Sequence, residues 1–466
     1  MLPPTIASLI VSIQNPNNIV PAVSEATTQM EKECIDFFAG LIGYNKDKEP
    51  WGNIVSCGTI ANMTALLVAR DYSYDKLDRP RKSMIGRRGI VNRTPGVVLT
   101  SASAHYSLKK ALWFLGLGSD NLIEIPVAVD EIVLEKREKD ERFIDGISDK
   151  TYKELILTAM EREERQNELE RFYNGEDAPF SLQPLDSEIF KALYSCFTYN
   201  TPLLAAVYSL GTTETGTIER MDSKEFGTIA FDLLKREDIY IHADAAIGGY
   251  TLAIPSIKEK MKGIERCDSV TIDGHKLGFL PYPCGAIVFQ HRGYKHQIYQ
   301  EAPYLKNLAP TLEGSRPGSN IAACWVAQKT LGVEGYSEYI GLLLEFTRKI
   351  EEEIRKSKNF QLLHQVDLNT ISFCVKRKGK PRSILNQMTI DLAERINGNN
   401  IFVVNTTDDL AKIKVKNLPG KDDSLTDIKT IRIVFTNPLV ELEDVNLFIY
   451  EIENQLAALE KEKDYT

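Results

Sequence analysis

The chain has 466 residues, of which 43% are hydrophobic, and it carries a formal net charge of -9 at pH 7 with a pI near 5.5. This length allows one large domain with one or two smaller ones, and the acidic balance argues against a nucleic-acid or anionic-membrane partner, since either needs a concentrated basic face. Seven scattered cysteines without a Cys-x-x-Cys pair, no signal peptide and no apolar run of about 20 residues predict a soluble, cytoplasmic protein with reduced thiols and no bound metal.

Alternating strand-like and helical patterns predict an α/β domain with a mostly parallel sheet. An amphipathic helix is expected from about residue 27 to residue 44. After it, short apolar runs each end in a Gly-containing or small-residue turn and lead into a helical pattern, as in βαβ units. The first two such pairs are 53–55 with 60–70, and 96–99 with 106–115.

The region 131–200 interrupts this alternation, because it is dense in charge and poor in apolar anchors, and it predicts an exposed helical insertion. Largely apolar runs beyond it predict buried strands at 203–209, 239–242, 269–272, 286–289, 370–376 and 430–435, with a long helix at 335–357. The predicted division is an N-terminal segment 1–50, a large domain 51–335 that contains the insertion, and a small C-terminal α/β domain 336–466.

A lysine and an aspartate each follow a predicted strand. In Asp273-Gly-His-Lys276 an amine at the end of a strand is suited to form an imine with an aldehyde cofactor, although an isolated His-Lys pair is more often a surface feature. In His242-Ala-Asp244 a carboxylate among small residues is suited to pair with a pyridine nitrogen. A helix cap is the competing interpretation of this aspartate.

Two further segments suit the same kind of cofactor. The small-residue turn Ser56-Cys-Gly-Thr-Ile-Ala-Asn62 leads into a helix, where free backbone N–H groups and the helix dipole favour a phosphate; a plain helix cap would need the same residues. His105, in Ser101-Ala-Ser-Ala-His105, is placed to lie flat on a cofactor ring, although a lone histidine there is more often structural.

Together these segments resemble the group II pyridoxal-phosphate-dependent amino-acid decarboxylases over most of the chain, from about Asn15 to the C-terminal domain. The resemblance rests on six segments that occur in the family's order. They are Ser56-Cys-Gly-Thr-Ile-Ala-Asn62, Ala104-His-Tyr-Ser107 with Lys109-Lys110-Ala111, Gly211-Thr-Thr-Glu-Thr-Gly216, His242-Ala-Asp-Ala-Ala246 with Gly248-Gly249, Asp273-Gly-His-Lys276, and Gly314-Ser-Arg-Pro-Gly318. The resemblance implies fold type I, the aspartate-aminotransferase type, with a large mostly parallel-sheet domain and a small C-terminal α/β domain.

The resemblance also implies pyridoxal 5'-phosphate as the cofactor and assigns the residues around it. The predicted catalytic residues are Lys276, which would hold the cofactor as a Schiff base, Asp244, which would pair with the pyridine nitrogen, and His105, which would stack on the ring. The other predicted cofactor contacts are Gly58, Thr59 and His275 at the phosphate, and Thr213 and Ala246 against the ring. An obligate homodimer with its active sites at the subunit interface is implied as well.

The predicted reaction is decarboxylation of an L-amino acid to its amine and carbon dioxide, with tyrosine or another aromatic amino acid as the first choice of substrate and glutamate or aspartate as the second. Pro50-Trp-Gly-Asn-Ile54 is similar to bacterial tyrosine decarboxylases. Pro310-Thr-Leu-Glu-Gly-Ser-Arg-Pro-Gly318 is similar to sphingosine-1-phosphate lyases, which cleave a carbon–carbon bond and release an aldehyde, so this second reaction stays open. A catalytically silent binding protein is disfavoured because the lysine, the aspartate and the histidine are all present.

Two departures from the family pattern stand out. Related decarboxylases carry a loop tyrosine that returns a proton to the substrate carbon, whereas Pro310 and Thr311 occupy the corresponding position here, with Tyr304 nearby as an expected scaffold residue. The family's usual segment before Asn15-Pro16 is missing, so we expect a short form or a fragment.

Overall fold

Short apolar and β-branched runs form the strands of two separate sheets in a computed structural model of this chain. The structure describes residues 2–77, 89–90, 94–125, 196, 201–221, 229–298, 308–399, 401–407, 428–463 and 465. The predicted insertion at 131–200 therefore lies outside the described residues apart from Cys196, and Tyr304 also lies outside them.

The elements within this range follow the predicted order. The α-helices are α1 (Leu2–Gln14), α2 (Glu25–Ile42), α3 (Gly58–Leu77), α4 (Ser107–Phe114), α5 (Ile229–Arg236), α6 (Pro255–Lys260), α7 (Gly318–Lys356, interrupted at Gly332), α8 (Arg382–Gly398) and α9 (Leu442–Glu462). The strands are β1 (Trp51–Val55), β2 (Val97–Ser101), β3 (Leu122–Ile125), β4 (Leu203–Ser209), β5 (Tyr240–Asp244), β6 (Ser269–Ile272), β7 (Gly285–Phe289), β8 (Phe360–Leu362), β9 (Thr370–Val375), β10 (Asn405–Thr407) and β11 (Thr430–Val434). Short 3₁₀ turns lie at Pro21–Val23, Lys46–Lys48, Ser119–Asn121, Gly248–Ala253, Ile264–Arg266 and Arg292–Gln297.

The larger sheet has the order β1-β7-β6-β5-β4-β2-β3. Its strands from β6 to β3 are parallel, whereas β7 pairs antiparallel with both β6 and β1. The predicted mostly parallel sheet is confirmed, with a two-stranded antiparallel edge in addition. Because parallel strands end at the same edge of a sheet, the residues that follow β5 and β6 lie close together, and this edge is where ligands bind in open α/β sheets.

Helix α3 is buried against this sheet and forms the centre of the first compact unit. It supplies Leu66, Val68 and Ala69 to a core that also contains Val207 of β4 and Ile287 of β7, all at most 3% exposed. A helix that is apolar around most of its circumference belongs in a core, so the residues at its N-terminus are held rigidly. Among the described residues, this unit contains those up to 125, those from 196 to 211, and those from 218 to 338.

The second unit comprises the described residues 212–217 and those from 339 onward. Its sheet has the order β10-β11-β9-β8, and each of its strand pairs is antiparallel. Every residue of β9 is buried, as expected for a central strand. The predicted domain limits at 50 and 335 stay predictions.

None of the helices in the described ranges combines the length and apolar character that crossing a membrane requires.

Candidate active site

Asp244 is the last residue of β5, and each of its carboxylate oxygens accepts a hydrogen bond. Its Oδ2 accepts a hydrogen bond from Asn62 Nδ2 at 2.8 Å, and its Oδ1 accepts one from the backbone N–H of Ala246 at 3.2 Å. The residue is 7% exposed. A buried carboxylate with a donor on each oxygen has a fixed orientation, so the sheet edge presents a negative charge in a defined place.

The amide of Asn62 is itself oriented by a buried polar network. Its Oδ1 accepts from Thr271 Oγ1 at 2.7 Å and lies 3.0 Å from His242 Nε2. Burial lowers the pKa of His242 to about 4, so this imidazole is neutral near pH 7. Nε2–H then donates to Asn62, and Nδ1 accepts from Ser269 Oγ at 2.8 Å. With its oxygen so engaged, Asn62 turns its NH₂ group towards Asp244.

His105 is joined to the same network through Ser107. Asn62 Nδ2 donates to Ser107 Oγ at 2.9 Å, and Ser107 Oγ lies 2.8 Å from His105 Nδ1. Because the serine oxygen accepts from the amide, its hydroxyl proton is free to point at the imidazole, and the backbone N–H of Ser107 also faces Nδ1 at 3.3 Å. Nδ1 is therefore an acceptor, and a neutral His105 carries its proton on Nε2.

Lys276 lies in the turn after β6, beside a buried carboxylate. Its Nζ is 3.2 Å from Asp273 Oδ2, and His275 Nε2 is 3.6 Å from the same oxygen. Burial raises the pKa of Asp273, although the charges of Lys276 and His275 act in the opposite direction. The lysine side chain is 30% exposed, so a small molecule can reach its amine.

The imidazole of His275 packs on an aromatic ring and on the backbone. Its Nδ1 lies 2.5 Å from the carbonyl oxygen of Cys284, and its ring centroid lies 4.1 Å from that of Tyr282. Burial lowers the pKa of His275, so the neutral ring is favoured. The backbone N–H of Cys284 also faces Nδ1, at 3.2 Å, so Cys284 holds this edge of the ring and Nε2 lies on the side of Asp273.

Gly58 begins α3 at a point where a side chain would not fit. A Cβ there would lie 2.8 Å from Asp273 Oδ2. The missing side chain makes room for the Asp273 carboxylate beside the first turn of α3, and the backbone N–H groups and the dipole of a helix N-terminus favour a phosphate. Thr59 follows, partly exposed. An amine, a fixed carboxylate and an open helix N-terminus are the groups that pyridoxal phosphate needs, and these residues fit it.

The structure brings most of the predicted residues together. Gly58, His275 and Lys276 meet at Asp273, while Asp244, Ala246 and His105 are linked through Asn62. Both groups are anchored to α3, where Gly58 and Asn62 are one turn apart, and the charge of Asp244 contributes to the raised pKa of Asp273. Thr213 belongs to the second unit, where its carbonyl oxygen accepts from Arg432 at 2.8 Å.

Three residues of the site were given no role from the sequence. Asn62, Ser107 and Asp273 lie inside segments that carry the family resemblance, yet their own contacts were not predicted. The signal for Asn62 is its spacing, because a residue four positions after Gly58 in a helix lies on the same face.

Comparison with known proteins identifies the family of this site. The model of the pyridoxal-dependent decarboxylase conserved domain matches residues 190–376. A probable L-aspartate decarboxylase of Pyrococcus abyssi is 36% identical over 371 residues, which cover 77% of this chain and 73% of the relative. The L-tyrosine decarboxylase of Enterococcus faecalis is 27% identical over 505 aligned positions, covering 88% and 72%.

The fold of this chain is also similar to solved structures. The crystal structure of Oryza sativa TDC with PLP and tryptamine superposes with a TM-score of 0.75 at 16% identity and covers 98% of this chain and 82% of that one. The predicted fold type I is thereby confirmed, and the family match together with the similar decarboxylases confirms the predicted cofactor and reaction class. This chain belongs to the pyridoxal-dependent decarboxylase family and is a pyridoxal-phosphate-dependent amino-acid decarboxylase.

Proposed function

We propose that Lys276, Asp244 and His105 carry out the decarboxylation at the carboxyl-terminal edge of β5 and β6. The observation that carries this proposal is the register of the two strands, in which Asp244 pairs with Thr271. The carboxylate of Asp244 therefore lies at the end of β5, and the amine of Lys276 follows the adjacent parallel strand β6, five residues after Thr271. An acid and an amine at one sheet edge can bind opposite ends of one pyridine ring.

Bound pyridoxal phosphate supplies a ring that accepts the electron pair left when the substrate loses carbon dioxide. Asp244 would hold a proton on the pyridine nitrogen, because a carboxylate beside that nitrogen favours its charged form. The hydrogen bonds from Asn62 and from the N–H of Ala246 keep the carboxylate in place for this task.

Lys276 would bind the cofactor aldehyde covalently and yield its place to the amino group of the substrate. Asp273, 3.2 Å away, orients the amine in the absence of the cofactor. Once displaced, the amine of Lys276 would be close enough to return a proton to the substrate carbon. This role is needed because Pro310 and Thr311 occupy the position of the loop tyrosine and supply no acid.

The remaining predicted contacts have separate tasks. Gly58, Thr59 and His275 would hold the phosphate, and Ala246 would pack against the ring. His105, with its proton on Nε2, would stack on the ring and donate to the carboxylate of the substrate. Stacking and donation together orient the bond that breaks.

The substrate that we propose is a free L-amino acid with an aromatic or an acidic side chain. Relatives of this chain are named for L-tyrosine, as in Enterococcus faecalis, and for L-aspartate, as in Pyrococcus abyssi. The second of these is the more similar, at 36% against 27% identity, and this favours aspartate over the tyrosine expected from the sequence motifs.

We also propose a cytoplasmic homodimer. The helix α1 exposes Leu2, Leu9 and Ile13 at between 65% and 79%, and α4 exposes Trp113 and Phe114 at 67% and 64%. Contiguous exposed apolar side chains are typical of subunit interfaces. Sedimentation at micromolar concentration distinguishes a dimer from a monomer.

Replacement of Lys276 by Ala tests the assignment. The purified variant should lose the visible absorbance of lysine-bound cofactor and all release of carbon dioxide from a panel of tyrosine, aspartate and glutamate. Lys262→Ala, at a lysine that is 52% exposed and paired with Glu259, is the matched control and should keep both. A Lys276→Ala protein that retains both signals would refute the assignment, and release of an aldehyde in place of carbon dioxide by the unmodified protein would favour the lyase reaction.

A further inference from the structure

A buried carboxyl group other than Asp273 also interacts with Asp244. Glu219 is 1% exposed and is joined to the last residue of β4 by two hydrogen bonds. Its backbone N–H donates to the carbonyl oxygen of Ser209 at 3.0 Å, and its Oε2 accepts from the N–H of Ser209 at 2.7 Å. The side chain thereby satisfies a backbone donor at the point where the strand ends.

Ser209 is the neighbour of Asp244 in the sheet. The two residues are paired in the register of β4 and β5, and the next residue, Leu210, donates its N–H to the carbonyl oxygen of Asp244 at 2.8 Å. Glu219 therefore holds the strand end against which Asp244 is fixed. Displacement of Ser209 would be transmitted to Asp244 through this pairing.

The two carboxyl groups also interact through their charges. The pKa of Glu219 is raised to about 7, mainly by burial and also by the negative charge of Asp244, while the Ser101 hydroxyl and the Ser209 N–H act in the opposite direction. Ser101 lies on β2, Ser209 on β4 and Asp244 on β5, so three strands of the sheet contribute to the surroundings of Glu219. His242, also buried on β5, stays neutral because burial lowers its pKa to about 4.

We propose that Glu219 is a positioning residue for the cofactor: through Ser209 it fixes the strand end that holds Asp244, and through its own ionisation it sets the electric field in which Asp244 holds the pyridine nitrogen. This inference rests on the role proposed for Asp244. When Glu219 is protonated, Asp244 provides the one negative charge of this pair. When Glu219 ionises, a second negative charge is added and the protonated pyridine nitrogen is favoured more strongly.

The test is the visible spectrum of the cofactor-loaded protein as a function of pH. The unmodified protein should show a spectral transition as Glu219 ionises. The pKa of Glu219 is about 7 in the cofactor-free chain, and a protonated pyridine nitrogen beside Asp244 lowers the midpoint below that value, because a nearby positive charge favours an ionised carboxylate. Glu219→Gln keeps an acceptor for the Ser209 N–H but cannot ionise, so it should lack that transition. Ser101→Ala removes a hydroxyl that lowers the pKa of Glu219, so it should move the midpoint upward.

Asp71→Asn is the matched control, because Asp71 is another buried carboxyl group of the first unit whose pKa is raised by burial, yet it pairs with Arg70 on α3. Its transition should match that of the unmodified protein. A transition that persists in Glu219→Gln, or a midpoint that Ser101→Ala does not move, overturns the inference. If Glu219→Gln does not fold, the Ser101→Ala midpoint alone decides.

A separate variant distinguishes this inference from the proposed function. Asp244→Asn should weaken cofactor binding at every pH. If it binds pyridoxal phosphate as tightly as the unmodified protein does, the role of Asp244 fails. If binding weakens but Glu219→Gln keeps the full transition, the role of Asp244 stands and only the inference about Glu219 fails.

Discussion

The side-chain amide of Asn62 donates to Asp244 Oδ2 at 2.8 Å although 182 positions separate the two residues in the chain. The amide cannot turn around without losing its contacts, because its oxygen already accepts from Thr271 and faces His242. A rigid, buried helix thus carries the donor that orients the carboxylate at the end of β5. The same helix begins at the glycine proposed to hold the phosphate.

Replacement of Asn62 by Ala should weaken the binding of pyridoxal phosphate by roughly tenfold to a hundredfold. The physical reason is that Asp244 loses a donor inside the protein, which costs about 1–3 kcal/mol for a buried group. A fluorescence titration of the cofactor-free protein measures the effect. Asn121→Ala, which removes a bond to the Leu117 carbonyl oxygen, should leave the affinity unchanged, and equal affinities for the two variants would contradict the role given to Asn62.

Replacement of Arg316 by Met should destabilise the first unit strongly. Arg316 and Glu31 form a buried ion pair, and both also bond to the backbone of Ile54. Removal of the guanidinium leaves a buried carboxylate without its partner, and this costs about 3–5 kcal/mol. Urea unfolding measures the loss, and the double variant with Glu31→Met should lose less than the sum of the single losses.

The exposed pair Lys262 and Glu259, 3.6 Å apart, serves as the comparison for that experiment. Removal of Lys262 should change stability by less than about 1 kcal/mol, since solvent screens exposed pairs. If the Arg316 variant loses no more stability than the Lys262 variant does, the buried ion pair contributes no more to stability than an exposed one.

Two glycines should respond to alanine in opposite directions. Gly40 is exposed within α2, and nothing lies within 4 Å of a Cβ built there, so Gly40→Ala should stabilise the protein by about 0.5–1 kcal/mol. A Cβ on Gly52 would lie 2.1 Å from the carbonyl oxygen of Ile287, so Gly52→Ala should destabilise the pairing of β1 with β7 by about 1–3 kcal/mol. Thermal unfolding of both variants checks the signs, and equal shifts would contradict the packing described.

The sequence predicted those parts of the fold and site that depend on local patterns. The strand ending at Asp244 and the turn carrying Lys276 could be located because each is a short apolar run followed by polar residues. The antiparallel pairing of β1 and β7 could not, because an apolar run carries no information about its direction in a sheet.

The contacts of Asn62 and Glu219 could not be predicted from the sequence for a related reason. Each depends on partners that the strand order brings together, and the spacing along the chain does not encode that order. Glu219 is ten residues from Ser209, and its side chain meets that residue only because the chain turns back at the bridge between Leu210 and Ile218. A glutamate in a polar stretch predicts an exposed residue, and the structure buries it.

Cys57 should be the cysteine that reacts fastest in the folded protein. All seven cysteines are described and free, and Cys57 is partly exposed whereas the others are buried. It directly precedes Gly58, so bound pyridoxal phosphate should slow its reaction with an aromatic disulfide reagent. Time courses of thiol release with and without cofactor measure this, and Cys57→Ser should remove the fast phase; a fast phase that survives in this variant would place the reactive thiol elsewhere.

The stability of the cofactor-free protein should depend on pH through Glu219. The ordinary pKa of this carboxyl group is 4.5, and burial raises it to about 7 in the folded chain. Between these values the folded state binds more protons than the unfolded state does, so stability falls as the pH rises from about 4.5 to about 7 and stays reduced above that range. Glu219→Gln cannot ionise and escapes this loss, which amounts to about 3 kcal/mol. The free energy of unfolding, measured by urea at pH 5 and at pH 8 for both proteins, should therefore favour the variant by more at pH 8 than at pH 5. Any cost of packing the amide cancels in this comparison of differences, so parallel changes in the two proteins would mean that Glu219 is already ionised at pH 5 in the folded chain.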